Sequence, residues 1–445
     1  KGVRGVKTVT FKGGVHPPHA KHATEHKEIE RAQLPLKVYI PLQQHIGAPC
    51  KPIVEVGDEV KTGQKIGEAE SFVSAPIHAS VSGKVVSIEA LPHPIGADVL
   101  TVVIESDGKD ELSEDIKPKG DLESLTPEDI KKIIREAGIV GMGGAAFPTQ
   151  VKLSPPPDKK IDTIIINGAE CEPYLTADHR VVLEHSEDIL FGLKAIMKTV
   201  GVEKGYIGIE NNKPDAIKKM QELVKDEKNI EVVALHTKYP QGGEKQLIYA
   251  ITGREVPSGG LPMEVGVIVQ NVGTTAMIAK AIKTGMPLIE RVLTVTGSAI
   301  AEPKNLLVRI GTPFREVIEQ CGGFKKAPGK VIMGGPMMGL AQASIDVPVV
   351  KGTSGILVLS KDEVKQYQER PCIKCARCVD ACPVYLLPTR LSHFAQQGMW
   401  DEAEDYNALD CIECGSCSFV CPSKIPLVQR IRLAKSQILA RRKKK

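Results

Sequence analysis

Between residues 36 and 106 the runs VYIPL, IVEVGDEVKTGQKIGEA, SAPIHASVSGKVVSIEA and LTVVIES alternate apolar with polar positions and bend at Gly and Asp. A period of two buries one face of a strand, so this stretch predicts a compact all-β unit. KDELSEDIKPKGDLESL, from Lys109 to Leu125, is charged and aperiodic and predicts a linker. Thr126-Pro127-Glu128-Asp129 then opens a helix, with Thr as N-cap, Pro at the first position and acids where the helix dipole favours them. Beyond it the β runs DTIIINGAE, GYIGIEN, IEVVALHT and GVIVQNV alternate with the helical stretches EDILFGLKAIMKTV, KPDAIKKMQELVKD, EKQLIYAIT and TTAMIAKAIKTG. Strand and helix in turn predict an α/β layered domain.

From Pro287 the pattern becomes LIERVLTVTGSAI, LLVRIGTPFREVIEQCGG and KVIMGGPMMG. Hairpin, helix and returning strand predict a small β-grasp-like domain. From Lys361 the chain reads as helical around a set of cysteines, and TRLSHFAQQGMWDEAEDYN predicts a helix pair between them. The expected division is therefore 1–108, 120–286, 287–350, 360–435 and a basic tail 436–445. In the first unit, VGDEVKTGQKIG and APIHASVSGKVVSIE resemble the two halves of a biotinyl/lipoyl-type barrel. Glu70-Ser71-Phe72-Val73-Ser74 holds no counterpart of the lysine that such carriers modify, so a structural or docking version is expected.

Eight of the eleven cysteines form two copies of one spacing, Cys372-x2-Cys375-x2-Cys378-x3-Cys382-Pro383 and Cys411-x2-Cys414-x2-Cys417-x3-Cys421-Pro422. This is the bacterial two-cluster ferredoxin run, in which three thiolates hold one cubane and the fourth reaches across to the other. Two 4Fe-4S clusters are expected, one on Cys372, Cys375, Cys378 and Cys421, the other on Cys411, Cys414, Cys417 and Cys382. Zinc ribbons use paired CxxC units without a third Cys at the same interval, and disulfides need no such spacing. Cys50, Cys171 and Cys321 are isolated and read as small buried hydrophobes.

A length of 445 residues allows several cores, and 42% hydrophobic with 25% charged residues is ordinary for a globular protein. No apolar run is long enough to span a bilayer. The start KGVRGVKTVTFKGG lacks an apolar stretch of the secretory kind, and the cysteines are arranged for iron, so a reducing cytoplasm is expected. A net charge of +4 does not argue for nucleic acid. The basic C-terminal stretch, with Arg430, Arg432, Lys435 and Arg441 to Lys445, reads either as a solvated tail or as a contact for an anionic membrane or acidic partner. His16, His19, His22 and His26 read as an exposed basic loop because Pro17 and Pro18 interrupt any helix face, and His393 reads as a core or surface histidine. Met333, Met337 and Met338 read as packing residues.

A second constellation begins at Gly141-Met142-Gly143-Gly144-Ala145-Ala146-Phe147-Pro148-Thr149, with Lys152 just beyond. Clustered glycines admit positive φ and let N–H groups cradle an anion, although this loop follows a helix where a dinucleotide fingerprint would follow a strand. Asn167-Gly168-Ala169-Glu170-Cys171-Glu172-Pro173, Tyr239-Pro240-Gln241-Gly242-Gly243-Glu244 and Gln270-Asn271-Val272-Gly273-Thr274 each end a strand with polar and glycine residues. Open α/β sheets bind ligands at such edges.

These segments, followed by GTPFREVI and VIMGGP, resemble in order the flavin-bearing, NADH-oxidising subunit of respiratory complex I. FKGGVHPP, the barrel-like unit and the double cysteine run ending in SKIPLVQRIRLAK are similar to the RnfC family of the Rnf electron-transport complexes. The resemblance implies an α/β FMN-binding domain, an SLBB-like β-grasp domain and a helical two-cluster ferredoxin domain. It implies that Gly141, Gly143, Gly144 and Lys152 cradle FMN and that Phe147 stacks on the NADH adenine. Asn167 and Glu170 would lie around the flavin, Gly242, Glu172 and Glu244 near the dinucleotide, and Asn271 and Thr274 near the flavin phosphate. It further implies a peripheral subunit on the cytoplasmic face, with membrane-embedded partner subunits, NADH or NAD+ as substrate and ferredoxin as an indirect partner. Ala169 and Gly243 stand where the flavin family carries acids. The residues leave open a soluble cobalamin reductase-like flavoprotein and a structural adaptor whose flavin pocket is vestigial.

Overall fold

The computed structural model describes residues 7–365 and 367–443. Its centre is a four-stranded parallel sheet in the order Ile230–Leu235, Lys204–Glu210, Thr163–Gly168, Val267–Asn271. The first strand in sequence thus lies between its successors, and the chain reverses direction of winding between Thr163–Gly168 and Val267–Asn271. Asn167 and Asn271 stand opposite one another in register at the carboxyl end of that switch. Helices Ser186–Val200 and Val272–Thr284 pack on one face, and helix Glu244–Thr252 covers the other. Continuous β-branched runs such as Thr163-Ile164-Ile165-Ile166 suit strands buried on both faces. The expected helix start is present: Thr126 Oγ1 accepts from the N–H of Asp129, and the Asp129 carboxylate accepts from the N–H of Thr126.

Residues 36–106 form two small antiparallel sheets around a core of Val38, Ile40, Ile66, Ile77, Val85 and Ile104. The turn at Phe72 docks on the flanking domain: the Phe72 carbonyl accepts from Gln150 Nε2 at 2.8 Å, and the Ala69 carbonyl accepts from Arg135. The expected linker after Lys109 is tied down, since Leu112 bridges to Thr62 and the N–H of Lys119 donates to Ile282.

Glu290–Thr296, Lys304–Arg309, helix Phe314–Glu319 and Pro328–Met333 form the β-grasp-like unit. Its sheet has six strands, with Leu340–Gln342 at one edge, because Ile29–Arg31 adds in parallel at the other and Gly355–Ser360 inserts between Glu290–Thr296 and Pro328–Met333. Both strands lie outside 287–350, drawn in by backbone pairing with distant partners. From residue 367 to 443 the described chain contains helices and no strand. Pro388–Gln397 and Trp400–Asp405 form the expected pair, and the long helix Leu427–Arg442 packs against both through Ile431, Ala434 and Ile438.

Residues 7–31 are more than an exposed loop. Their histidines face solvent, but Phe11, Val15, Lys21 and Thr24 are buried. This strap bridges Val9 to Leu235, pairs Val15 with Tyr239, donates from Gly14 to the carbonyl of Ala381 in the cysteine domain, and ends as the edge strand Ile29–Arg31.

Candidate functional site

Three chain segments that end strands gather at the carboxyl edge of the parallel sheet, with the glycine loop beside them. The loop is closed at its neck, where the N–H of Gly141 donates to Phe147 O at 2.9 Å and Val140 bridges to Pro148. Gly143, Gly144 and Ala145 at its tip are exposed, and Ala146 takes the left-handed conformation with φ 52°. A side chain at Gly143 would collide with the Asn271 amide, and Met142 N–H donates to Thr274 Oγ1 at 2.9 Å, so the loop lies against the start of helix Val272–Thr284. Asn271 caps that helix, accepting from Gly273 N–H at 2.8 Å, and donates its Nδ2 to Asp178.

On the neighbouring strand end, Asn167 donates to the carbonyl of Gly242, and Gly242 N–H donates to the Cys171 sulfur at 3.3 Å. Glu170 holds φ 46° and accepts from the N–H groups of Asp178 and His179. Lys152 pairs with Glu244 at 2.7 Å and also donates to Val269 O. The structure thus brings Gly141, Gly143, Gly144, Phe147, Asn167, Glu170, Gly242, Asn271 and Thr274 to one edge, with the Lys152–Glu244 pair at its side. Glu172 turns elsewhere: its two carboxylate oxygens accept from Met337 and Met338 N–H in the Gly334–Gly339 loop, and burial pushes it up to about 7.

Sequence reasoning passed over several buried charges here. Asp178 is raised by burial and by the Glu170 carboxylate, and Arg291 is lowered to about 10 by burial while Asp178 opposes this. Lys21 and Lys213, both nearly inaccessible, bind the backbone of the Asn167–Leu175 loop. Nothing local marks these lysines, because their acceptors are carbonyls that any sequence supplies. The open glycine loop and this polar edge suit an anionic, hydrogen-bonding cofactor such as FMN.

The cysteines converge as two interleaved sets. Cys372, Cys375, Cys378 and Cys421 line one cavity of about 210 Å³, with the last contributed by the second run. Of the other four, Cys382 and Cys411 share one packed cluster while Cys414 and Cys417 lie in its neighbours, and Cys411, Cys414 and Cys382 all raise the Cys417 thiol, which burial pushes up to about 12, so these four are the candidate second set. Both runs use the same backbone device: left-handed residues at Lys374, Ala376 and Tyr385 recur at Glu413, Gly415 and Lys424. Lys374 N–H donates to Cys372 Sγ and Glu413 N–H to Cys411 Sγ, each at 3.4 Å. Among the described residues no three His, Cys, Asp or Glu side chains close around a single ion. A cubane places its four ligands on four separate irons, so wider sets of this kind fit a cluster and not zinc. Bound iron would also remove the cost of packing these buried thiols together, because a coordinated thiol is deprotonated.

The two sets differ in surroundings. Cys372 and Cys375 are exposed beside buried Cys378 and Cys421, whereas Cys382, Cys414 and Cys417 are buried and Cys411 is half-buried. Cys414 packs with Cys171, Tyr239, Val15 and Ala381, and the Tyr239 hydroxyl donates to the Cys414 carbonyl at 2.8 Å. The buried set therefore abuts the strand edge that carries Asn167 and Gly242.

Comparison with known proteins agrees along the chain. Residues 9–109 match the RnfC barrel sandwich hybrid domain, 134–280 the Nuo51 FMN-binding domain, 292–341 the SLBB domain and 371–425 the 4Fe-4S dicluster domain. The chain is 55% identical over 439 residues to the C component of the Na(+)-translocating ferredoxin:NAD(+) oxidoreductase complex of Acetobacterium woodii, covering 99% of both. The chain belongs to the RnfC family. A proton-translocating counterpart from Clostridium ljungdahlii is 56% identical over 88% of this chain and 85% of its own length. The C component of the ion-translocating oxidoreductase complex of Rhodobacter capsulatus is 43% identical over 99% of this chain and 85% of its own. A crystal structure of NAD+-reducing [NiFe]-hydrogenase aligns with TM-score 0.51 and 17% identity, covering 72% of this chain and 65% of that one, a likeness of fold. RnfC membership thus accounts for the barrel, the FMN-binding domain, the SLBB unit and the helical dicluster domain together.

Proposed function

We propose that this chain is the peripheral electron-input subunit of a membrane Rnf complex, exchanging electrons between NAD(H), FMN and two 4Fe-4S clusters during ferredoxin:NAD+ oxidoreduction coupled to Na+ or H+ transport. The observation that carries this reading is the contact of the buried cysteine set with the strand edge through Cys171 and Tyr239. It joins the two candidate redox sites without an intervening solvent layer. A bound flavin supplies the exchange between two-electron NAD chemistry and one-electron cluster chemistry. Gly141, Gly143, Gly144 and Lys152 would hold it, with Asn167, Glu170, Gly242, Asn271 and Thr274 around it. Phe147, Glu172 and Glu244 are the candidates for the dinucleotide. Glu172 would have to leave the Met337 and Met338 amides to serve there.

The buried cysteine set would be the inner relay station and the exposed set the outer one, facing another subunit. No helix among the described residues is long and apolar enough to cross a membrane, so attachment on the cytoplasmic face would run through partner subunits. Relatives named for Na+ and for H+ are 55% and 56% identical to this chain, and the proposal covers either coupling ion. The test is anaerobic addition of NADH to iron- and FMN-loaded protein, with reductive bleaching of flavin and cluster absorbance expected. Loaded protein that NADH never bleaches would sink the reading. Ala169, Gly243 and the engaged Glu172 favour a second reading, an iron–sulfur adaptor without NAD(H) binding, which would carry clusters but no flavin after purification.

A further inference from the structure

The Asn167–Leu175 loop is held by two buried ammonium groups from segments far apart in the chain. Lys21, from the N-terminal strap, donates to Glu170 O at 3.0 Å, Glu172 O at 2.9 Å and Leu175 O, with the Glu170 carboxylate 3.9 Å away. Lys213, from the loop after strand Lys204–Glu210, donates to Ala169 O at 2.6 Å and Asn212 Oδ1 at 3.0 Å, with Glu210 at 3.5 Å. Burying an ammonium costs several kcal/mol unless hydrogen bonds and a counter-charge compensate. A loop that served only to connect two elements would not require two of them.

Lys213 holds the carbonyl of the peptide Ala169–Glu170, and Lys21 that of Glu170–Cys171. In a trans peptide the N–H lies opposite the C=O. The N–H groups of Glu170 and Cys171 accordingly face away from the lysines, and neither has an acceptor among the described residues. Two successive N–H groups of this kind form a concave donor pair for an electron-rich atom. The loop keeps Glu170 at φ 46° and Tyr174 at φ 69°, conformations that non-glycine residues hold only where surrounding contacts over-determine them. Lys21 and Lys213 supply those contacts.

We infer that Lys21 and Lys213 are positioning residues, which fix the Asn167–Leu175 loop so that the Glu170 and Cys171 N–H groups serve acceptor atoms of the flavin ring system. The inference rests on the FMN reading above and adds a role for the strap, whose lysine completes a pocket formed some 150 residues later. It gives the segment around His19 and Lys21 a task that histidine-based metal binding does not.

The experiment compares wild type, Lys21→Gln and Lys21→Arg as iron-loaded full-length chains, titrated anaerobically with FMN by fluorescence quenching, with iron content and cluster paramagnetic resonance measured on the same samples. Loss of a charged hydrogen-bond hub predicts FMN binding weakened about tenfold or more in Lys21→Gln, with iron content and cluster spectra unchanged. Lys21→Arg, which keeps charge and several donors, is expected to bind within about threefold of wild type. Unchanged FMN affinity in Lys21→Gln would overturn the inference. So would loss of iron together with FMN, because the lysine would then support the whole chain, and so would an arginine variant as weak as the glutamine one. Wild type that binds no FMN would instead contradict the flavin reading itself.

Discussion

Cys382 is the residue whose placement says most about the proposed relay, since its run supplies three thiols to one cavity that it does not itself line. Cys382→Ala is expected to abolish the paramagnetic signal of the buried cluster and leave that of the exposed one, with Cys375→Ala doing the reverse. Loss of the same signal in both variants would contradict the interleaving. The dicluster domain was legible in the cysteine spacing, because three thiols within seven residues are held together by the chain itself. Lys21, Lys213 and Asp178 were not legible, because each acquires its role only from groups far away in sequence. Glu290 is a further case. Burial raises its carboxyl, but Lys280 at 2.6 Å, Arg31 at 2.9 Å and Arg309 outweigh this and hold it at about 2. A carboxyl depressed in the fold contributes stability above its ordinary value near 4.5, and that stability is lost as pH falls from there through about 2. Glu290→Gln should cost about 2–3 kcal/mol at pH 7 in urea unfolding, with the gap to wild type closing as the pH drops below about 4.5.

The repeating strands and helices of the central domain follow directly from apolar periodicity, and their ends carry the polar segments that form the site. Helix Ser186–Val200 shows how that edge is supported from behind. A Cβ at Gly192 would overlap the carbonyl of Thr275 on helix Val272–Thr284, so only glycine allows this approach. Gly192→Ala should push the helices apart at a cost of about 1–3 kcal/mol. Because Asn271 and Thr274 sit at the first turn of the displaced helix, FMN binding should weaken while both cluster signals persist, as parallel flavin titration and paramagnetic resonance would show. Pairings such as Ile29–Arg31 with Lys304–Arg309 were hidden from the sequence for a different reason. A three-residue strand has too short a pattern to declare itself, and its register is set by a partner some 270 residues away. The basic C-terminal stretch, read as either a solvated tail or a partner contact, lies on helix Leu427–Arg442 as far as Arg442, with several of its charges paired. Arg432 and Lys435 pair with Glu413, Arg441 with Asp401 and Arg442 with Glu404, while Lys444 and Lys445 lie outside the described residues.

At the scale of the whole molecule, the flavin-type domain and the cysteine domain meet across Tyr239, Cys171 and Cys414, and the strap passes through the same junction. Gly13 takes φ 81°, and a Cβ there would lie 2.9 Å from the Cys382 carbonyl. Gly13→Ala should therefore strain the seat of the buried cluster, speeding iron release from it to a chelator while the exposed cluster is released at the wild-type rate. Equal release from both would show that the strap does not bear on this junction. The strap also imposes an order in time. Chains emerge from the ribosome N-terminus first, yet residues 9–31 find their partners at Leu235, Tyr239, Leu307 and Ala381. A segment made early thus waits for partners made hundreds of residues later, and until they arrive the loop that Lys21 holds and the backbone beside Cys382 lack its contacts.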